Sequence, residues 1–226
     1  RAKNVSIEEF GLISLIGSIL YITQIPATAL SKTITYKSAY LLGKYNINAK
    51  RFWMFVRSKA LILSIFLTVL WLLSLPLLIK YFQTPNPLPF ILFSPIWIIG
   101  ALTAIDRGFL GGSQKFVLLA TITLLEAVSK LVATIFFVET GFSELVYVAI
   151  PLSMVASYII GWIAANALPT PEIPMDDRSE TVFPKRFFAT SILVKLSNIA
   201  FLSLDVILAK VFLTSTQAGQ YALLSL

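Results

Sequence analysis

Residues 59–80 read Lys59-Ala-Leu-Ile-Leu-Ser-Ile-Phe-Leu-Thr-Val-Leu-Trp-Leu-Leu-Ser-Leu-Pro-Leu-Leu-Ile-Lys80, twenty uncharged and mostly apolar residues between two lysines. An α-helix rises about 1.5 Å per residue, so the run matches a hydrocarbon core roughly 30 Å thick. Backbone groups in lipid must be satisfied inside their own segment, and the run reads as a membrane-spanning helix from about Ala60 to Phe82. A barrel strand would be shorter and would alternate strictly, which this run does not.

Comparable runs lie on both sides. The first covers Phe10 to Leu30, with an amphipathic stretch from Ser31 to Tyr45 extending it beyond the membrane. The third covers Leu88 to Ile105, the fourth Phe116 to Val138, the fifth Leu145 to Leu168 and the sixth Phe187 to Leu213. A seventh starts near Gly219 and is cut at Leu226. The chain is 57% apolar and only 13% charged, far below the charge of a soluble domain. The expected fold is therefore all-α, a polytopic membrane bundle of six full spans plus a truncated seventh.

The loops between these runs carry seven, one, two, none, three and no cations in order. Cytoplasmic loops are the ones enriched in Lys and Arg, so Ser31–Lys59 and Pro169–Arg186 are expected on the cytoplasmic side. The first run then travels from outside to inside. A chain that begins at Arg1 rather than Met, in that direction, is expected to lack one span before it and to be a fragment of a larger protein. Three parts follow: a partial N-terminal lobe at 1–168, a Pro-rich and acidic cytoplasmic linker at 169–186, and the start of a second lobe at 187–226. Phe10-Gly-Leu-Ile-Ser-Leu15 echoes Tyr221-Ala-Leu-Leu-Ser-Leu226, as a parallel repeat of two lobes would.

Composition also excludes functions. The net charge of +7 lies in short loops beside lipid-length runs, which topology explains and nucleic-acid binding does not. With no Cys and no His, thiol catalysis, His-containing triads and His-based metal sites are ruled out. No catalytic residue, cofactor or metal site is expected. The chain reads as a non-enzyme.

Ionisable residues within spans cost about 2.5–3.5 kcal/mol each to insert, so those present need a reason. Glu126 and Lys130 are four apart, close enough to pair on one helix face. With Thr123 and Thr134 they fall within about 80° of arc. The stripe reads either as a neutralised pair holding two helices together or as a surface facing a water-filled cavity. Ser191, Lys195, Asn198 and Asp205 form a similar stripe in the sixth run. Lys195 and Asp205 are about 15 Å apart along the axis, too far to pair directly. Each needs water, a partner on another helix or a bound ligand. Lys210 is near enough to a boundary to snorkel. Asp106 and Arg107 close the third run and precede Gly108, Gly111 and Gly112. This reads as a tight turn at the membrane surface or, more sharply, as a gate between lobes. Pro26, Pro76, Pro95 and Pro151 fall inside apolar runs, where each can kink its helix.

Arg107-Gly-Phe-Leu-Gly-Gly-Ser-Gln-Lys-Phe116, followed by Glu126 and Lys130, resembles the N-terminal lobe of polysaccharide (oligosaccharide-lipid) flippases. Asp205-Val-Ile-Leu-Ala-Lys210, then Ala218-Gly-Gln-Tyr-Ala222, resembles the helix pair that opens their C-terminal lobe. That family shares a superfamily with multidrug extruders. The resemblance implies two lobes around a central cavity, alternating access, and a lipid-pyrophosphate-linked oligosaccharide as cargo in the cell membrane. It implies that Lys130 and Lys195 face the pyrophosphate or an acidic sugar. It implies that Asp205 takes part in gating or in coupling to a proton or sodium ion. Two other readings stay open. A cation-coupled drug exporter of the same fold would favour acids in its cavity, whereas the spans hold three Lys against two acids. A membrane glycosyltransferase or polymerase would need a sizeable surface loop or domain, and the external loops are short.

Overall fold

The computed structural model describes residues 7–45, 49–82, 87–169 and 182–214, with 217, 220 and 221; the side chains at 7–23, 45, 143, 144, 198–207 and 210 lie outside that description. The described residues are helical throughout, apart from short connections. Helix α1 spans Ile7–Tyr45, α2 Lys50–Phe82, α3 Leu88–Leu92, α4 Ile96–Gly112 and α5 Phe116–Glu139. A 3₁₀ turn at Ser143–Val148 leads into α6, Ala149–Ala167, and α7 covers Lys185–Phe212. Four segments are long and apolar enough to cross a membrane: Lys50–Phe82, Leu88–Gly112, Phe116–Glu139 and Leu145–Ala167. The first and sixth expected spans exist as α1 and α7 but are not among these four. The truncated seventh lies largely outside the described residues, as do the side chains of Phe10–Leu15 and most of Tyr221–Leu226.

Several boundaries differ from expectation. The seven-cation loop is almost wholly helical, since α1 continues unbroken through Tyr45 and α2 begins at Lys50. Tertiary packing outweighs charge here: Phe52, Trp53 and Val56, in the first turns of α2, are buried against α1, α4 and α6. The third run is two helices, α3 and α4, divided at Phe93–Pro95. Pro95 lacks an N–H and sits as the N-cap of α4, where its carbonyl accepts from Ile98 and Ile99. Pro151 occupies the first turn of α6, a position that tolerates proline without a kink. Pro26 and Pro76 do lie inside helices.

The glycine-rich segment is the clearest departure. Gly108, Gly111 and Gly112 are not a turn but the last residues of α4, packed along α1. A Cβ at Gly108 would lie 2.5 Å from the Ser31 carbonyl oxygen, and one at Gly112 would lie 2.5 Å from Ser38 Cβ and 2.7 Å from the Thr35 oxygen. The two glycines are four apart, one helical turn, and let the backbones approach as small residues do at membrane helix crossings. Thr35 Oγ1 donates across the crossing to the Gly108 carbonyl at 3.1 Å. The turn itself follows α4, and its left-handed residue is Gln114, at φ +61°. Lys115 N–H closes the turn on the Leu110 carbonyl at 2.9 Å.

The main core lies where α1 and α4 end and α2 begins, hereafter the basic end. Ile34, Phe52, Trp53, Ile105 and Phe109 meet there, with the Trp53 and Phe109 rings stacked at 5.4 Å. Smaller clusters form toward the other end, around Phe93 with Tyr147 and around Phe82 with Phe90. The first turn of α7 joins α1 through Phe187, whose ring stacks on Tyr36 at 4.6 Å.

Candidate functional site

The charged centre of the bundle is built from four helices. Helix α4 contributes Asp106, whose side chain is 1% exposed, and α2 contributes Arg57, an ion pair closed between Arg57 Nη1 and Asp106 Oδ1. Trp53 Nε1, one turn before Arg57 on α2, donates to the same carboxylate oxygen at 2.8 Å. Arg57 Nη2 reaches α6 and donates to the Tyr158 hydroxyl at 2.8 Å. The guanidinium also lies over two rings, 5.3 Å from Trp53 and 5.5 Å from Tyr158. Its planar, weakly hydrated charge suits that position better than an ammonium would. Gly161 of α6 packs beside Asp106, and a Cβ there would make only an ordinary contact, 3.9 Å from Asp106 Cβ.

A second pair is adjacent. Arg107 Nη2 donates to Glu126 Oε2 on α5 and, at 2.7 Å, to Ser157 Oγ on α6. These side chains are about a quarter exposed, against near-complete burial of Asp106. Consecutive residues on α4 point about 100° apart, so Asp106 turns to α2 and Arg107 to α5. The basic end is tied once more by Lys50 Nζ, which donates to the carbonyls of Asn166, at 2.8 Å, and Leu168. These are the free carbonyls at the end of α6, where a cation also complements the helix dipole.

This arrangement corrects two expectations. Asp106 and Arg107 lie within α4 rather than in a surface turn, and each is ion-paired to a neighbouring helix, Asp106 to α2 and Arg107 to α5. Glu126 is engaged by Arg107 rather than by Lys130. Lys130 is exposed on α5 and Lys195 is half-buried on α7, and neither has an ion-pair or side-chain hydrogen-bond partner among the described residues. Asn198, Asp205 and Lys210 have side chains outside the described residues, and so does most of the stripe expected on α7.

Arg57, Trp53, Tyr158, Ser157 and Lys50 were not legible as site residues. Arg57 and Lys50 read as ordinary loop cations, because their partners are 49 and 116 residues away. The Gly108–Gly112 spacing was the one local signal available for the α1–α4 crossing. Buried Asp106 Oδ2, Thr103 Oγ1 and Arg107 Nε have no hydrogen-bond partner among the described residues. Among the described residues no group of acids could hold a metal. Comparison with family models, curated proteins and solved structures finds no match to this chain.

Proposed function

We propose that the chain moves a lipid-linked oligosaccharide across a membrane by alternating access, without covalent chemistry. The observation that carries this reading is the contrast among its intramembrane charges. Asp106 and Glu126 are each neutralised by an arginine, whereas Lys130 and Lys195 lack an anion among the described residues. An unpaired cation on an apolar helix is costly and marks a pathway or a ligand site. A pyrophosphate or acidic sugar supplies the missing charge as it passes. The four-helix charge cluster supports the same reading, because alternating access needs a bundle that moves as one unit. In this reading the basic end faces the cytoplasm.

The test is glycan export. Lys195→Ala and Asp205→Ala, in the protein expressed in its own host, should abolish surface glycan while insertion into the membrane persists. Normal glycan in both variants would remove these residues from the pathway. Drug resistance on expression, with surface polysaccharide unchanged, would replace the cargo with a small amphipathic drug.

A further inference from the structure

A cavity of about 370 Å³ lies between α1, α2, α4, α6 and the segment 183–188. That volume is within the range of roughly 300–1,000 Å³ typical of ligand sites. Its wall on α2 runs from Phe55 to Leu67, about 18 Å of helix, so the space is elongated along the bundle. Leu30, Val56, Leu63, Trp97, Met154 and Phe188 make it a hydrocarbon surface. Of its polar lining residues, Ser64 is satisfied by the Leu61 carbonyl at 3.0 Å.

One ionisable residue lines the cavity, Lys59, one helical turn from its basic end. Lys59 is exposed and has neither an ion pair nor a hydrogen-bond partner among the described residues. Arg57, two positions away, is already neutralised by Asp106. Lys185 and Arg186 lie between Phe183 and Phe188, which close the same cavity, and both are exposed. The lining contains no acid.

We propose that this cavity binds the hydrocarbon chain of a phosphorylated lipid, with the phosphate on Lys59 at the basic end. A long apolar slot with a cation toward one end matches an amphiphile with an anionic head. A neutral apolar molecule would leave Lys59 unpaired, and a cationic one would be repelled. A phosphate monoester carries about −1.5 to −2 charges near neutral pH, which suits Lys59 with Lys185 and Arg186 nearby better than a single carboxylate does. Identifying this lipid with the carrier of a transported glycan rests on the reading above; the binding itself does not.

The test uses the purified chain in an uncharged maltoside detergent and a diazirine-bearing dodecyl phosphate, with the matching alcohol and carboxylate as controls. Photo-adducts should concentrate in peptides 55–67 and 96–101. Labelling by the phosphate should exceed labelling by the alcohol by about tenfold, the effect of one charge-assisted hydrogen bond. Lys59→Ala should lose about that factor, Lys59→Arg should keep most of it, and Ala101→Phe should block the slot. Lys59 is exposed, so its variants retain the fold, checked by circular dichroism and gel filtration, and they decide the outcome even where Ala101→Phe does not fold. Equal labelling by alcohol or carboxylate overturns the proposal. So do adducts spread over the exposed α5 residues Leu124, Leu131 and Phe136, or labelling indifferent to Lys59→Ala. Phosphate-dependent labelling alongside normal glycan in Lys195→Ala and Asp205→Ala would keep this site and remove those two residues from the transport pathway; lost glycan with labelling indifferent to Lys59→Ala would keep them and overturn this site.

Discussion

Asp106 shows how one residue's role follows from its partners. As a carboxylate at the end of an apolar run it could serve a turn or a gate. Buried and bound by Arg57 and Trp53, it becomes a structural anion on which α2 and α4 converge. Removing one member of such a pair strands the other in a dry interior, at a cost of about 3–5 kcal/mol. Asp106→Ala and Arg57→Ala should each lower stability by that order, measured as denaturation in mixed micelles. The double replacement Arg57→Met with Asp106→Leu should recover most of the loss, because neither charge is then left alone. Gln114 offers the opposite change. At φ +61° it holds a left-handed conformation that costs a non-glycine residue about 1–2 kcal/mol. Gln114→Gly should therefore stabilise the chain by up to about 1 kcal/mol, part of the gain being offset by glycine's greater freedom when unfolded. A melting temperature that falls or stays level would contradict the turn geometry.

Helix α4 shows what an element adds. Its sequence marks it as apolar and glycine-rich, and its three late glycines differ in a way that only the neighbouring helix reveals. Added Cβ atoms at Gly108 and Gly112 would meet the backbone of α1, whereas one at Gly111 would lie 3.6 Å from Thr35 Oγ1, an ordinary contact. Gly108→Ala and Gly112→Ala should each destabilise by about 1–3 kcal/mol, the usual cost of overpacking, and Gly111→Ala should be close to neutral. Thermal unfolding of the three variants under one set of conditions separates them. Equal tolerance at all three would mean that α1 and α4 do not cross so closely. The spacing of four was visible in the sequence, but its meaning depended on which helix came alongside, and helices one and four of the described chain are separated by α2 and α3.

The whole molecule joins these elements at its basic end, where the Trp53 core, both ion pairs and the Lys50 cap coincide. Because the chain has no native cysteine, its sidedness can be read with single introduced thiols. Lys44→Cys and Lys115→Cys should react with an impermeant thiol reagent from one face of sealed vesicles, and Thr140→Cys only from the other. Labelling of all three from the same face would refute α5 as a crossing helix. Hydropathy alone determined that the chain is helical with segments long and apolar enough to cross a membrane, because a bilayer constrains every residue of a run in the same way. Loop charge set an expected orientation for the same reason, being a sum that tolerates local error. Tertiary structure decided what individual charges do: Arg57 became the partner of a buried acid, Asp106 and Arg107 became internal ties, and Lys59 became the cation of an apolar slot. Those roles depend on contacts between residues far apart in the chain, and the distance law of electrostatics acts through space, not along the sequence.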